Sequence, residues 1–286
     1  MFFARTGAAL AAFSVAMATI AQPTQQTRPR TVTGDLRMHS AFRSVILGNI
    51  RDIVVWLPPD YATSPSRRYP VLYMGDGQNL FNLETSFLPD QEWRVDEIAT
   101  ALIEAKLVEP LIVVGVYNAG VDRANEYLPT RVQNNGGRVD RFGRFLVEEV
   151  KPMIDRTYRT KTGPGDTGLA GSSFGGIMTL SVGLQHPNVF GKLAAISPSV
   201  WWDDRHVLKM VGTLPRKTRQ KVWIDIGTEE GDVNVRNTAL LRDRFVAKGW
   251  RDGKDLAFVT DRGAKHNENA WAGRMDAILM WLFPSR

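Results

Sequence analysis

The chain contains no cysteine, which excludes disulfides, thiolate metal sites and a cysteine nucleophile. It has four histidines, His39, His186, His206 and His266, so histidine chemistry has few places to reside. No long hydrophobic run is present. The apolar, alanine-rich stretch over residues 8–21 is too short for a comfortable membrane span, so an integral span is not expected. Internal repeats, low-complexity blocks and, beyond residue 30, an interdomain linker are also missing. The net charge of +6 does not concentrate into a basic face. The 36 Lys and Arg residues are scattered, the densest groups being the pairs Arg67-Arg68 and Arg216-Lys217. Without a basic patch interleaved with aromatics, nucleic acid is not an expected partner.

What is present suffices for a sizeable core: 286 residues, 43% of them hydrophobic. The first 21 residues read as a secretory signal peptide. Arg5 supplies one positive charge, the apolar run follows, and small residues at Ala16 and Ala18, or at Thr19 and Ala21, flank a cleavage point. A polar leader over residues 22–30 comes next, then a single domain over 31–286. The expected location is therefore periplasmic or secreted, with the cytoplasm as the alternative. An exported chain is permitted disulfides but does not require them.

Within the domain, strand-like and helix-like segments alternate. Strands are expected over 31–42, 50–57, 69–74, 111–116, 167–170, 192–196, 221–226 and 255–259. Several are short continuous apolar runs, such as Leu111-Ile112-Val113-Val114, typical of strands buried on both faces of a parallel sheet. Helices are expected over 95–105, 141–157, 174–186, 235–248 and 268–283. The alternation predicts an α/β fold with a mostly parallel central sheet and helices on both faces. The first two strands have no helix between them and are expected to form an antiparallel hairpin at one edge.

Gly171-Ser172-Ser173-Phe174-Gly175-Gly176 fits G-x-S-x-G with Ser173 at its centre, between an apolar strand and a helix-like run. That is the context of a nucleophile elbow, in which glycines two before and two after a strained serine let strand and helix pass closely. A serine hydroxyl needs a base and an oxyanion hole. In the α/β-hydrolase order of serine, acid, histidine, His266 is the histidine that follows the acid candidates, in a loop after the 255–259 strand. The acid is expected in Gly227-Thr228-Glu229-Glu230-Gly231-Asp232: Glu230 first, Asp232 second, Glu229 third. The oxyanion donors are expected at the Phe174 N–H and in the loop Met74 to Phe81, with Gln78 ahead of Gly77. Its two glycines are expected to let the backbone approach a ligand. His39, His186 and His206 receive no catalytic role, although His206 could border the pocket.

These residues and their order resemble the putative-esterase family of α/β-hydrolases, which includes enterochelin (siderophore), feruloyl and acetylxylan esterases. The resemblance covers roughly residues 45–284. It rests on Asp76-Gly77-Gln78-Asn79-Leu80-Phe81, Glu92 to Glu97, Arg123 to Pro129, Gly171 to Gly176, Ser197-Pro198-Ser199-Val200-Trp201-Trp202, Gly227-Thr228-Glu229-Glu230 and His266-Asn267-Glu268-Asn269-Ala270-Trp271. It implies the α/β-hydrolase fold, Ser173 as nucleophile, His266 as base, and an acid three residues after Gly227, which is Glu230. Hydrolysis of a carboxylic ester is then expected, on acyl or feruloyl groups of carbohydrates or, alternatively, on a siderophore trilactone. Acyl transfer and non-catalytic binding are the further alternatives. No metal or organic cofactor is expected, since the triad supplies the chemistry. Arg123 is expected to pair with Glu126, or else to contact an acidic substrate. Asp76 is a candidate substrate contact, and Phe81, Trp201 and Trp202 are expected to line an acyl or sugar pocket or to be core.

Overall fold

The structure, a computed structural model, describes residues 28–215 and 218–285. The signal peptide expected over residues 1–21, most of the polar leader and the pair Arg216-Lys217 lie outside the described residues. The chain opens with β1 (Asp35–Arg43), β2 (Ile50–Leu57), β3 (Val71–Gly75), α1 (Val95–Glu104) and β4 (Ile112–Val116). An excursion follows, with α2 (Arg123–Tyr127), the short strands β5 (Arg131–Val132) and β6 (Asn135–Gly136), α3 (Val139–Arg144) and α4 (Lys151–Thr157). The remainder alternates: β7 (Thr167–Ser172), α5 (Phe174–Gln185), β8 (Lys192–Ile196), α6 (Trp202–Thr213), β9 (Lys221–Gly227), α7 (Asp232–Ala247), β10 (Leu256–Asp261), α8 (Glu268–Ala272) and α9 (Met275–Leu282).

An eight-stranded sheet runs in the order β1-β2-β4-β3-β7-β8-β9-β10. The β1–β2 and β2–β4 pairs are antiparallel and the rest parallel, which places the expected hairpin at one edge. Side chains alternate between two apolar layers, as the period of two in a strand requires. On β3, Val71 and Tyr73 face the layer under α3, α4, α5 and α7, whereas Leu72 and Met74 face the layer under α1 and α9. On β9, Val222 and Ile224 join the first layer and Trp223 the second.

The apolar strand runs fold as expected, to within a few residues. The expected 31–42 strand begins at Asp35, because residues 31–34 are held instead by side chains. Thr31 Oγ1 donates to Glu92 Oε2 (3.0 Å), and Asp96 Oδ2 accepts from the Thr33 N–H (2.6 Å). The expected 141–157 helix carries a π-helical turn, Phe145–Val150, just ahead of Pro152. Proline donates no N–H and its ring crowds the carbonyl four residues back, so the helix widens before it. The expected 268–283 helix divides at Gly273 into α8 and α9. No expected helix corresponds to α6, whose Asp203, Asp204 and Arg205 have φ of 45°, 46° and 59°.

Among the described residues, no helix is long and apolar enough to cross a membrane.

Candidate active site

The carboxyl ends of β3, β4, β7, β9 and β10 converge on one edge of the sheet. There β7 ends at Ser172 and α5 begins at Phe174, leaving Ser173 alone at the turn with φ 58° and ψ −120°. That conformation is strained for a residue with a side chain and is held by its surroundings. The Ser173 N–H donates to the Ile196 carbonyl (3.0 Å). A Cβ on Gly171 would lie 2.7 Å from the Gly175 carbonyl oxygen, and one on Gly176 would lie 3.0 Å from Pro198 Cα. Backbone packing at the elbow therefore demands Gly171 of the motif and the following Gly176, whereas a Cβ on Gly175 would make only ordinary contact, 3.5 Å from Asp76 Oδ2.

Ser173 Oγ lies 3.0 Å from His266 Nε2, and His266 Nδ1 lies 2.6 Å from Glu230 Oε2. With the Nδ1 proton donated to the carboxylate, Nε2 is left to accept from the serine hydroxyl. The Trp271 ring meets the imidazole edge-on, with centroids 5.0 Å apart. Burial alone would raise the Glu230 carboxyl's pKa. Hydrogen bonds from His266, the Ser197 hydroxyl and the Gly227 N–H outweigh burial and hold it below the ordinary value. The other two acid candidates stand elsewhere. Asp232 opens α7 in an exposed position, and exposed Glu229 lies 3.8 Å from Lys265 Nζ.

A second set of residues surrounds Glu230. Ser197, at φ 41°, places its hydroxyl 2.6 Å from Glu230 Oε1, 2.8 Å from an Arg274 nitrogen and 3.1 Å from Trp271 Nε1. Asp225, at the centre of β9, accepts from the Ser197 N–H (2.9 Å) and Trp223 Nε1 (2.7 Å) and lies 3.4 Å from Arg274. Burial pushes the Asp225 carboxyl up to about 6, with Arg274, Trp223 and Ser197 pulling the other way. Ser199 Oγ lies 3.2 Å from Ser173 Oγ. Ser197, Ser199 and Trp271 stand in the family segments but carried no expected role, and Asp225 and Arg274 were not expected here. An aspartate inside an otherwise apolar strand was the available signal for Asp225.

A pocket of 320 Å³ opens over Ser173 and His266, with Asp76, Gln78, Arg123 and Glu268 in its wall. Phe87, Leu88 and Trp271 supply its apolar side. Arg123 grips Asp76 with two hydrogen bonds (2.6 and 2.7 Å), which corrects the expected pairing with Glu126. Glu126 turns inward on α2 and pairs with buried Arg51 of β2 at 2.8 and 3.0 Å. Burial would lower the Arg123 pKa, and Asp76 more than reverses this. Asn118 Nδ2 also donates to Asp76 (2.7 Å), so the Asp76 carboxylate is engaged within the protein.

Gln78 lines the pocket and accepts the Asn118 N–H on Oε1 (3.3 Å), while Phe174, the first residue of α5, has an N–H beyond the reach of the helix's own carbonyls. Gly77 is explained by packing rather than by ligand approach: a Cβ there would lie 2.5 Å from the Gly115 carbonyl carbon of β4. Phe81 is buried core beside Leu80 and Trp93, not pocket wall. Trp202 is core as well, with its Nε1 donating to Thr130 Oγ1 (3.0 Å). Trp201 is half-exposed and packs on Phe174 with ring centroids 6.0 Å apart, outside the pocket. His206 lies 3.9 Å from Asp203 and is not in the pocket wall. Among the described residues, no group of three or more His, Asp or Glu is placed to hold a metal ion.

The sequence profile of the family described as "Putative esterase" matches residues 44–282. The chain belongs to this family. It is a carboxylic ester hydrolase, and the eight-stranded sheet with its elbow is the α/β-hydrolase fold. The esterase is 28% identical over 180 residues to the ferri-bacillibactin esterase BesA of Bacillus subtilis, covering 58% of this chain and 61% of that one. It is 29% identical over 249 residues to an endo-1,4-beta-xylanase/feruloyl esterase of Xylanibacter ruminicola, covering 85% of this chain and 30% of that protein. An IroE-like serine hydrolase from Shewanella oneidensis superposes with a TM-score of 0.70 at 21% identity, covering 85% of this chain and 79% of the other.

Proposed function

We propose that the esterase works through an acyl-enzyme on Ser173, with His266 as general base and Glu230 as the acid that orients it. The observation that carries this reading is the unbroken hydrogen-bonded line Glu230–His266–Ser173 at a strained strand-to-helix turn. In the first half-reaction, Ser173 Oγ bonds to the ester carbonyl carbon as its proton passes to His266 Nε2. The oxyanion is held by N–H groups at Phe174 and near Gln78. His266 then returns the proton to the departing alkoxide as the C–O bond breaks. In the second half, water replaces the alcohol: it gives its proton to His266, bonds to the acyl carbon, and Ser173 leaves with that proton. Glu230 fixes the imidazole tautomer and stabilises the imidazolium formed in each half. The scheme calls for no metal or organic cofactor.

The substrate we favour is an acyl or feruloyl ester of a carbohydrate. The pocket joins an apolar, partly aromatic side (Phe87, Leu88, Trp271) to amide-bearing Gln78 and Asn79, a surface suited to an aryl ring beside hydroxyls. The relative named as a feruloyl esterase supports it. A siderophore lactone is the second reading, supported by the ferri-bacillibactin esterase. Export of the chain is also proposed, from the composition of its first 21 residues. N-terminal sequencing of protein from the native host tests it, and an intact Met1 on the mature protein would refute it.

Hydrolysis of p-nitrophenyl acetate by the wild type beside Ser173→Ala and His266→Ala tests the mechanism. Each substitution is expected to lower kcat by about 10⁴-fold or more, with the circular dichroism spectrum unchanged. Turnover surviving Ser173→Ala would remove the nucleophile assignment.

A further inference from the structure

Three charged side chains besides the histidine share the wall of the pocket: Asp76, Arg123 and Glu268. Two of them cancel. Arg123 and Asp76 form a two-pronged ion pair, and Arg123 lies with its guanidinium 5.7 Å from the Phe174 ring centroid, stacked and committed. Glu268 has no such partner. It is buried, and its Oε1 accepts from Asn79 Nδ2 at 3.2 Å, a neutral amide. The Asn79 side chain is itself fixed, because its Oδ1 takes the Phe87 N–H at 2.9 Å. The groups acting on Glu268 are Asp76 from the β3 loop, Arg123 from α2 and His266 from its own loop. Burial pushes its carboxyl above the ordinary value and Asp76 adds to this, against the pull of its own backbone N–H, Arg123 and His266. The chain as a whole carries +6, yet among the described residues, besides the histidine, the one ionisable side chain of this pocket wall without an ion-pair partner is a carboxyl, Glu268. Scattered surface cations are screened from it within about 10 Å at ordinary ionic strength.

Resting on the esterase reading of this pocket, we infer that Glu268 is a specificity-determining residue: it selects esters that are neutral or cationic near the scissile bond and turns away esters that carry a negative charge there. A fully ionised substrate brings its charge into a partly desolvated site, where like-charge repulsion is far stronger than in water. Neutral aryl esters and esters bearing an ammonium group or many hydroxyls are accepted, because a carboxylate attracts cations and accepts hydrogen bonds from hydroxyls. The overall positive charge of the chain therefore does not forecast an acidic substrate.

The test uses three phenyl acetates that differ at the meta position: a trimethylammonium group, its neutral isostere tert-butyl, and a carboxylate. Acetate release is followed in the wild type and in Glu268→Gln, which keeps shape and can still bond Asn79. Taking the ratio of kcat/KM between proteins for each ester cancels the intrinsic reactivity of the esters. The carboxylate ester is expected to gain on the neutral one by roughly tenfold in Glu268→Gln, and the ammonium ester to lose a comparable factor. This is the effect of one charge removed at about 7 Å in an effective dielectric of about 30. Binding of the same esters to Ser173→Ala, measured by calorimetry, reads the selection without turnover. The charge order in binding with no hydrolysis would leave the selection standing and sink the proposed function. Hydrolysis or binding with no charge order, or with ratios unmoved by Glu268→Gln, would overturn the inference and leave the esterase reading intact.

Discussion

Glu230 uses its two oxygens differently. Oε2 accepts a hydrogen bond from His266 Nδ1, while Oε1 accepts from the Gly227 N–H (2.8 Å) and the Ser197 hydroxyl. Replacing it with glutamine keeps the size but presents either an amide N–H or a weaker neutral acceptor to the imidazole, so the histidine loses its tautomer control. Glu230→Gln is therefore expected to lower kcat for p-nitrophenyl acetate by about 10³–10⁴-fold. Asp232→Ala, made at an exposed helix start, should stay within about twofold of wild type. The reverse ranking would move the acid. The sign of the pH effect follows from the depressed pKa. The ionised carboxylate contributes stability that is fully present above the ordinary glutamate range and is lost as pH falls through the lower native value. The stability deficit of Glu230→Gln should accordingly shrink on acidification. Three carboxylates within four residues could not be ranked by spacing alone. The tight 3₁₀ turn Thr228–Glu230 separates them in space, turning Glu230 toward Ser197 while Glu229 and Asp232 stay exposed. The approach of Ser173 and His266 was legible because a contiguous motif marks the serine and the order of residues along the chain marks the histidine, both properties of the linear sequence. The Arg123–Asp76 pair was not, because it joins the loop after β3 to the start of α2, 47 residues on, and their approach depends on the assembled sheet.

Strands buried on both faces announce themselves as uninterrupted apolar runs, which is why the sheet was legible element by element. The helical region at the chain's end was not, since its apolar pattern runs on through Gly273 and nothing in the period marks the break. The break has a consequence for the site. It swings Arg274, the residue before α9, inward until it is almost fully buried between Asp225 of β9, Ser197 and Asp261 of β10. Removing that cation leaves Asp225 buried without its counter-charge, and the broken pair should cost about 3–5 kcal/mol when the acid is ionised. Asp225 already sits at about 6, so the stability it contributes when protonated is lost as pH rises from near 4 through 6. Arg274→Met pushes that carboxyl higher still and extends the loss to higher pH. The gap in melting temperature between wild type and Arg274→Met is thus expected to widen from pH 5 to pH 8. A gap that is constant across that range would mean that Arg274 stabilises by packing alone.

Across the molecule, stability and chemistry occupy different places. The two apolar layers that flank the sheet hold the fold, and the carboxyl edge holds the Ser173 line and its pocket, as open α/β sheets generally arrange their ligand sites. A larger cavity of 580 Å³ lies at the opposite edge, against Pro164, Gly191 and Arg219, and among the described residues its wall holds no acid and no histidine. Size alone would have chosen the wrong end. The pocket's mouth adds a feature absent from the core, because Phe87 is 75% exposed while it lines the pocket. A large ring left in water contributes little to folding, so its value must lie in what it meets. Phe87→Ser should shift stability by no more than about 0.5 kcal/mol. If the ring receives the aryl part of the substrate, the same change should raise KM for methyl ferulate about fivefold, the loss of one aromatic contact worth about 1 kcal/mol. KM for ethyl acetate, which has no ring to lose, should hardly move. Equal changes for the two esters would show that Phe87 shapes the pocket as a whole rather than meeting a ring. A melting temperature lowered by several degrees would place it in the fold rather than at the mouth.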